Sequence, residues 1–312
     1  MPRPNPIRTW LQLFRVPNLL TVPGDPVAGY LLASYGLVEN RLLFAIGASF
    51  CFYAGGLLLN DLADLREDRR ERPSRPLPSG AASVPVVAAV LAILFAAGLW
   101  LCWQVDPVTF ATGGALLLSI VAYNCGNKRV PVLGAVNMGL CRGLSMMLGV
   151  TAVPHGDLTY QLIAAGRLNH ILIPVAIVTA YVAAITNLAR FETHTLIPRI
   201  PKWLPVTVLL LGAFVFLRRL EDSGLISSTP LFVIAIAGAF QVALRLERDP
   251  ATPVPAEIGK LIRLLLLLQS AYCASVAALG AFFGNTVGYA STVILLALWP
   301  ISRLLGRWFY AS

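Results

Sequence analysis

Charged residues are scarce in this chain of 312 residues. They make up 12% of it, against 57% hydrophobic residues, whereas about a quarter of a typical soluble domain is charged. The five cysteines form no CxxC pair and lie in or beside apolar segments, which favours buried small side chains over a zinc site or a disulfide framework. Acidic residues number 15 against 24 Lys and Arg. Because these bases are scattered between apolar runs, the sequence does not indicate a nucleic-acid partner.

The chain contains several long apolar runs. A run of roughly 20 apolar residues is long enough to cross a bilayer as a helix. The sequence therefore predicts an all-α, polytopic membrane bundle that forms one domain over residues 1–312. Ten candidate spans lie near residues 12–36, 42–60, 84–103, 107–124, 131–152, 171–191, 203–217, 228–245, 261–283 and 286–305.

The distribution of Lys and Arg predicts the orientation of these spans. With the N-terminus placed inside, the inner segments hold 19 of the 24 basic residues, the outer loops hold 4, and Arg142 lies within a span. Cytoplasmic loops carry an excess of Lys and Arg. We therefore expect a multi-pass protein of the plasma (inner) membrane with both termini in the cytoplasm.

An acidic ladder ends the second apolar span. Asn60, Asp61, Asp64 and Asp68 occur in the run NDLADLREDRRERPSRPLPSG. On a helix of 3.6 residues per turn the three aspartates share one face. Carboxylate oxygens are the ligands that Mg²⁺ prefers, and such a metal can also bind a substrate phosphate. The alternative is a solvated mixed-charge loop, against which the helical start of the ladder and the stiff RPLPSG turn both argue. The sequence thus predicts a site at the cytoplasmic end of this membrane helix that acts on a lipid carrying a diphosphate.

Two charged residues lie deep inside predicted spans, far from the span ends. Asp25 is midway along the first span in TVPGDPVAG, where Pro and Gly permit a break, and Arg142 is deep in the fifth span. Such groups are costly in a bilayer and are functional candidates by default. Two interpretations stay open: a buried Asp25–Arg142 structural pair, or contact between Arg142 and a polar part of the substrate.

Two further polar clusters lie at cytoplasmic helix ends. Tyr123 and Lys128 close the fourth span, where they are either an interface anchor or a source of cations for diphosphate oxygens. Asn187, Arg190 and His194 recur at i, i+3 and i+7 at the end of the sixth span, with the same two alternatives. Helical spacing turns Glu192 away from that face.

These motifs together resemble the UbiA superfamily of intramembrane prenyltransferases. NDLADLRED followed by RPLPSG is similar to its first aspartate-rich motif, N-D-x-x-D-x-x-x-D, and LFRVPNLLTVPGDPVAGYLL is similar to its opening helix. AYNCGNKR resembles its Tyr-to-Lys motif, with four residues between Tyr123 and Lys128 where three are usual. The segments GLCRGLSMMLG and RRERPSRPLPSG are similar to a divergent, EboC-like branch linked to bacterial secondary metabolism.

The resemblance implies about nine transmembrane helices around a central cavity, a prenyl diphosphate donor and a small-molecule acceptor. It also implies that Asp61, Asp64 and Asp68 hold Mg²⁺, supported by Asn60, and that Lys128, with Arg72 and Arg75, neutralises the leaving diphosphate. The family's second aspartate-rich motif is missing, because Asn187 and Arg190 stand where acids are expected. Arg190 is a candidate to bind the diphosphate in place of a second metal.

Two functions remain open at this point. The first is a Mg²⁺-dependent prenyltransferase that acts on a polar or aromatic acceptor. The second is a non-catalytic relative that binds or exports a lipid-linked or secondary metabolite. The intact first motif favours the enzyme, whereas the missing second motif and the deep Arg142 favour the carrier. Neither the acceptor nor the oligomeric state can be read from these motifs.

Overall fold

The computed structural model describes residues 5–34, 38–154, 168–192, 196–220, 222–249, 251–282 and 286–308. Within these ranges the regular elements are helices. They are α1 (Pro6–Leu13), α2 (Val16–Leu19), α3 (Gly24–Ser34), α4 (Arg41–Ala63), α5 (Leu65–Glu71), α6 (Val84–Trp103), α7 (Pro107–Cys125), a 3-10 turn (Asn127–Arg129), α8 (Pro131–Thr151), α9 (Leu168–Ala189), α10 (Arg199–Leu217), α11 (Asp222–Arg248), α12 (Val254–Arg263), α13 (Leu265–Phe282) and α14 (Val287–Trp308).

The described residues contain nine helical stretches that are long and apolar enough to cross a membrane, with α12 and α13 counted as one. These nine correspond to nine of the ten predicted spans. The first predicted span, 12–36, is wrong as one continuous helix, because the chain breaks into α1, α2 and α3. Pro17, Pro23 and Pro26 account for the interruption, since proline lacks the N–H that a helix interior needs.

The short helix α3 sits between two halves of the bundle. It packs on α8 on one side and on α13 on the other, and α4, α6, α7 and α8 form one half. Leu31 and Leu32 of α3 belong to the larger apolar core with α9 to α14, whereas Tyr30 and Ala33 belong to the core with α4 to α8. Burial of both faces of α3 therefore joins the two halves.

A third, smaller core lies under the end of α4. It contains Leu13 of α1, Leu58 of α4, and Leu77 and Ala82 of the loop after α5. Burial of apolar side chains stabilises by about 25 cal/mol per Å² removed from water. This small core therefore fixes α1 and the RPLPSG loop against the segment that carries the aspartates.

Candidate functional site

The aspartate ladder spans the junction between α4 and α5. The prediction that one uninterrupted helix carries it is wrong, because α4 ends at Ala63 and Asp64 bends the chain with φ −88° and ψ 0°. The i to i+4 backbone hydrogen bonds nevertheless continue, from Asp64 N–H to Asn60 O at 2.9 Å and from Asp68 N–H to Asp64 O at 2.8 Å. The three carboxylates therefore stay on adjacent turns.

Arg15 binds the first aspartate. Its Nη2 donates to Asp61 Oδ1 at 3.0 Å. Arg15 is also the one non-glycine residue with positive φ (45°) among those that the structure describes. This left-handed conformation is unfavourable for a side chain with a Cβ, so the surrounding packing must hold it. The stacked rings of Trp10 and Phe14, with centroids 5.6 Å apart, pack against the small core immediately before it.

Arg75 binds the last aspartate through two hydrogen bonds. Its Nη1 lies 2.9 Å from Asp68 Oδ1 and 2.8 Å from Oδ2. The RPLPSG loop presents Arg75 through a closed turn in which Ser79 N–H donates to Arg75 O at 3.0 Å. Gly80 ends the turn with φ 76°, a conformation that favours glycine. The expected stiff turn is confirmed.

Lys128 binds the middle aspartate. It forms an ion pair with Asp64, and its Nζ lies 3.5 Å from Asn60 Oδ1. The 3-10 turn that carries Lys128 packs closely on α8, because a Cβ at Gly134 would lie 2.8 Å from Asn127 O. Tyr123, in the last turn of α7, is half-buried and lies in the neighbourhood of Asp64. The structure therefore brings Tyr123 and Lys128 to the aspartate ladder.

The middle aspartate, Asp64, lies at a cavity of about 340 Å³ together with the two arginines that bind the other aspartates. The cavity is lined by Arg15, Asn60, Asp64, Arg72, Arg75, Glu192 and Pro255. Glu192 closes it from the segment after α9, accepting a hydrogen bond from Arg72 Nη2 at 3.0 Å. Glu192 therefore lies apart from Asn187 and Arg190, as expected, but at the aspartate site, because α9 ends at Ala189 and helical spacing no longer fixes the direction of the chain. Four acids face four bases here, so the site carries no large excess charge.

Asn187 and Arg190 lie at the end of α9 but are not among the cavity-lining residues. Arg190 is exposed, lies 3.4 Å from Asn187 Oδ1, and has its guanidinium 5.9 Å from the ring centroid of Phe191. His194 lies outside the described residues. The structure thus groups Asn187 with Arg190, and neither side chain lines the cavity.

Arg142 and Asp25 lie deeper in the bundle. Arg142 Nε is 2.8 Å from Asp25 Oδ2, and their side chains are 7% and 0% exposed. The Arg142 guanidinium lies 5.8 Å from the ring centroid of Tyr53. Tyr53 precedes Asp64 by eleven residues on α4, about 16 Å at 1.5 Å per residue, and three turns place both on one helix face. Arg142 is therefore buried well below the cavity mouth.

Sequence reasoning did not assign Arg15, Glu192 or Gln269 to any site. Arg15 and Glu192 border the cavity, and Gln269 contacts Asp25. A signal existed for Gln269, since it directly follows five leucines in the run LIRLLLLLQS and its amide needs several buried partners. Arg15 gave no such signal, because a basic residue before a span is typical of any cytoplasmic helix end.

The carboxylate and amide oxygens of Asp61, Asp64, Asp68 and Asn60 fit Mg²⁺ by donor chemistry. Within the described ranges, however, no three His, Cys, Asp or Glu side chains are already gathered around one point. Each aspartate is instead bound to a different cation. Asp68 has both oxygens bound to Arg75 and could bind a metal only if that ion pair were exchanged, whereas Asp61 and Asp64 each use one oxygen, Oδ1, in their ion pairs.

Comparison with known proteins identifies the family. The model of the UbiA prenyltransferase family matches residues 26–261. This range is well over half of the chain and contains the aspartate ladder, Lys128 and Arg142. The chain therefore belongs to the UbiA prenyltransferase family.

Curated relatives match over part of their length. The chain is 29% identical over 143 residues to the digeranylgeranylglyceryl phosphate synthase of Methanoculleus marisnigri, covering 46% of this chain and 51% of that protein. It is 30% identical over 149 residues to the synthase of Thermococcus kodakarensis, covering 47% and 53%. The chain thus spans about half the length of the curated relatives it matches.

Solved structures share the fold. A structure of digeranylgeranylglyceryl phosphate synthase superposes with a TM-score of 0.58 at 19% identity, covering 87% of this chain and 99% of that one. A UbiA homologue from Aeropyrum pernix K1 gives a TM-score of 0.64 at 15% identity, covering 81% and 96%. At these identities the likeness shows the fold alone.

Proposed function

We propose that this protein is an integral-membrane prenyltransferase, one domain over its whole length, that transfers a prenyl group from a prenyl diphosphate to a polar or aromatic acceptor. The observation that carries the proposal is a 340 Å³ cavity lined by Asp64, Arg15 and Arg75. Arg15 and Arg75 bind the other two aspartates of the ladder, and Lys128 binds Asp64. Family membership and relatives named digeranylgeranylglyceryl phosphate synthase support it. The positive-inside distribution supports a plasma-membrane protein whose cavity opens to the cytoplasm.

The ion pairs of the site define what its residues can do for a diphosphate. Arg75 and Lys128 donate to Asp68 and Asp64 in the ligand-free protein. A diphosphate in the cavity offers these cations oxygens of higher charge density, and charge-assisted hydrogen bonds to phosphate are strong. The cations would then turn to the ligand and free the carboxylates.

The freed carboxylates of Asp61, Asp64 and Asp68, with Asn60, would hold Mg²⁺. When bound, Mg²⁺ would neutralise the diphosphate and favour its departure as a whole, with cleavage of the bond between its ester oxygen and the allylic carbon. Arg72, Arg75 and Lys128 would stabilise the same developing negative charge from the other side. Tyr123 would support this group through its position beside Asp64.

The buried walls beneath the cavity would keep water from the allylic carbon until the acceptor attacks. Arg190 would join the diphosphate only by turning from Asn187, which requires the segment after α9 to move. The names of the relatives make geranylgeranyl diphosphate the first donor to test.

A non-catalytic relative that binds or exports a lipid-linked metabolite is the second candidate. One observation favours it: Asn187 and Arg190 replace the acids of the family's second motif, and the nearby carboxylate of Glu192 is bound to Arg72. Such a protein would bind its ligand without metal and without loss of diphosphate.

The test compares thermal stabilisation of the detergent-purified protein by geranylgeranyl and farnesyl diphosphate, with and without Mg²⁺. We expect Mg²⁺-dependent stabilisation that Asp64→Ala abolishes. Glu67→Ala, which removes an exposed acid from the same segment, is the charge-matched control and should behave like wild type. Stabilisation that does not depend on Mg²⁺ and is unchanged in Asp64→Ala would favour the carrier. The absence of stabilisation by either diphosphate would contradict the enzyme proposal.

A further inference from the structure

The break between α2 and α3 leaves backbone carbonyls without helical partners inside the bundle. An unpaired carbonyl in an apolar environment costs several kcal/mol. Thr21, which is 1% exposed, lies in this break. Its carbonyl accepts hydrogen bonds from Arg142 Nη2 and from Gln269 Nε2, both at 2.9 Å. Side chains from α8 and α13 therefore satisfy the exposed backbone of the first segment.

The same two side chains also bind Asp25. Arg142 Nε lies 2.8 Å from Asp25 Oδ2, and Gln269 Nε2 donates to Asp25 Oδ1 at 2.6 Å. Asp25 stands in the first turn of α3, where a negative charge is favoured by the helix dipole. Asp25, Arg142 and Gln269 thus form one buried unit with the Thr21 carbonyl, which we name the brace.

Close packing leaves the brace little room for another molecule. A Cβ at Gly24 would overlap the Gln269 amide, and a Cβ at Gly149 would overlap the Pro26 carbonyl. The backbones of α3 and α8 therefore touch beside the brace. Arg142 is surrounded by protein groups, and the geometry favours a structural link over direct contact with substrate.

A chain of short turns connects the brace to Arg15. Thr21 N–H and Oγ1 both donate to Asn18 O, at 3.0 and 2.8 Å, and Asn18 N–H donates to Arg15 O at 2.8 Å. Arg15 in turn binds Asp61 at 3.0 Å. Six residues tied by such bonds transmit a shift of Thr21 to Arg15, because no flexible stretch lies between them.

We propose that Arg142, Gln269 and Asp25 are positioning residues that hold Arg15 against the aspartate ladder. They act by fixing the broken first segment through the Thr21 carbonyl. The proposal rests on the proposed function in one respect, namely that Arg15 belongs to a site that binds prenyl diphosphate.

The first measurement is amide hydrogen exchange over residues 15–25, which does not depend on any ligand. Gln269→Leu removes both hydrogen bonds of the amide at similar volume, and Ser270→Ala changes a buried neighbour that bonds only to Leu266 O within its own helix. We expect exchange at the Asn18 and Thr21 amides to rise at least tenfold in Gln269→Leu and to stay at the wild-type rate in Ser270→Ala. If Gln269→Leu does not fold, Gln269→Asn, whose shorter side chain cannot reach Thr21, takes its place. Unchanged exchange in the folded variant would overturn the proposal.

The second measurement is a double-mutant cycle on the affinity for geranylgeranyl diphosphate with Mg²⁺. We expect Gln269→Leu and Arg15→Gln each to weaken binding about tenfold. Because Gln269 acts through Arg15, we expect the double variant to bind no more weakly than Arg15→Gln alone. A double variant about a hundredfold weaker, with the two effects multiplying, would contradict positioning through Arg15. If wild type binds no prenyl diphosphate, the proposed function fails while the exchange result still decides whether the brace exists.

Discussion

Replacement of Arg75 by Gln tests whether the cations of the site compete with metal for the aspartates. Arg75 holds both oxygens of Asp68, at 2.9 and 2.8 Å, and the two side chains are 19% and 7% exposed. Two unit charges about 4 Å apart interact by about 4 kcal/mol at an effective dielectric constant of about 20. Screening by solvent at the partly exposed guanidinium reduces the contribution to about 2 kcal/mol.

We expect Arg75→Gln to change the affinity for a divalent metal ion and the affinity for the prenyl diphosphate donor in opposite directions. Loss of the competing cation frees Asp68, so the affinity for a divalent ion alone should rise by about thirtyfold, which corresponds to 2 kcal/mol. The affinity for prenyl diphosphate should fall by about tenfold or more, because a hydrogen bond to a charged group contributes about 1.5–3 kcal/mol. If Arg75 only stabilised the fold, its replacement would weaken the binding of both the metal ion and the prenyl diphosphate.

The assay titrates Mn²⁺, which also prefers six oxygen ligands, and follows the free ion by electron paramagnetic resonance. Arg70→Gln is the control, because it removes an exposed charge from the same segment and leaves the pair with Asp68 intact. The reasoning is refuted if Arg75→Gln binds Mn²⁺ no more tightly than Arg70→Gln. A parallel titration with geranylgeranyl diphosphate checks the expected fall in affinity for the prenyl diphosphate.

Two further variants test the site and the packing beside it. Lys128→Gln removes the cation bound to Asp64 and should weaken prenyl diphosphate binding about tenfold with an unchanged melting temperature; a large drop in melting temperature would instead assign Lys128 to stability. Gly149→Ala should lower the unfolding free energy by about 1–3 kcal/mol, since the new methyl overlaps the carbonyl of Pro26. Gly114→Ala, whose Cβ would have no neighbour within 4 Å, should leave stability unchanged or raise it by up to about 1 kcal/mol. Equal melting temperatures for these two alanine variants would contradict the close contact of α3 and α8.

The membrane class, nine of the ten proposed spans and the break near Asp25 could be predicted from the sequence, whereas the span 12–36 is not one helix. Apolar length alone decides whether a helix can cross a bilayer, and proline removes a backbone donor wherever it stands. The aspartate ladder was also visible, because residues three and four apart in a helix share a face. These features depend on neighbours within a few positions of the chain.

Contacts between distant segments could not be predicted in this way. Arg15 and Asp61 are 46 residues apart, and Arg72 and Glu192 are 120 residues apart. Helical spacing separates Glu192 from Asn187 and Arg190 but does not place it at the cavity, because α9 ends at Ala189 and the chain direction after that point depends on packing.

The membrane helices, the family motif and the acids and bases available to a site follow from the amino-acid sequence. The pairing of each base with its acid, and the binding of both Gln269 and Arg142 to the Thr21 carbonyl, follow from the folded arrangement of the helices. Helix formation follows from local hydrogen bonds and apolar length. The pairing of acids with bases follows from the relative placement of the helices. That placement depends on close contacts such as that of α3 with α8, and on the free-energy cost of leaving a buried polar group without a hydrogen-bond partner.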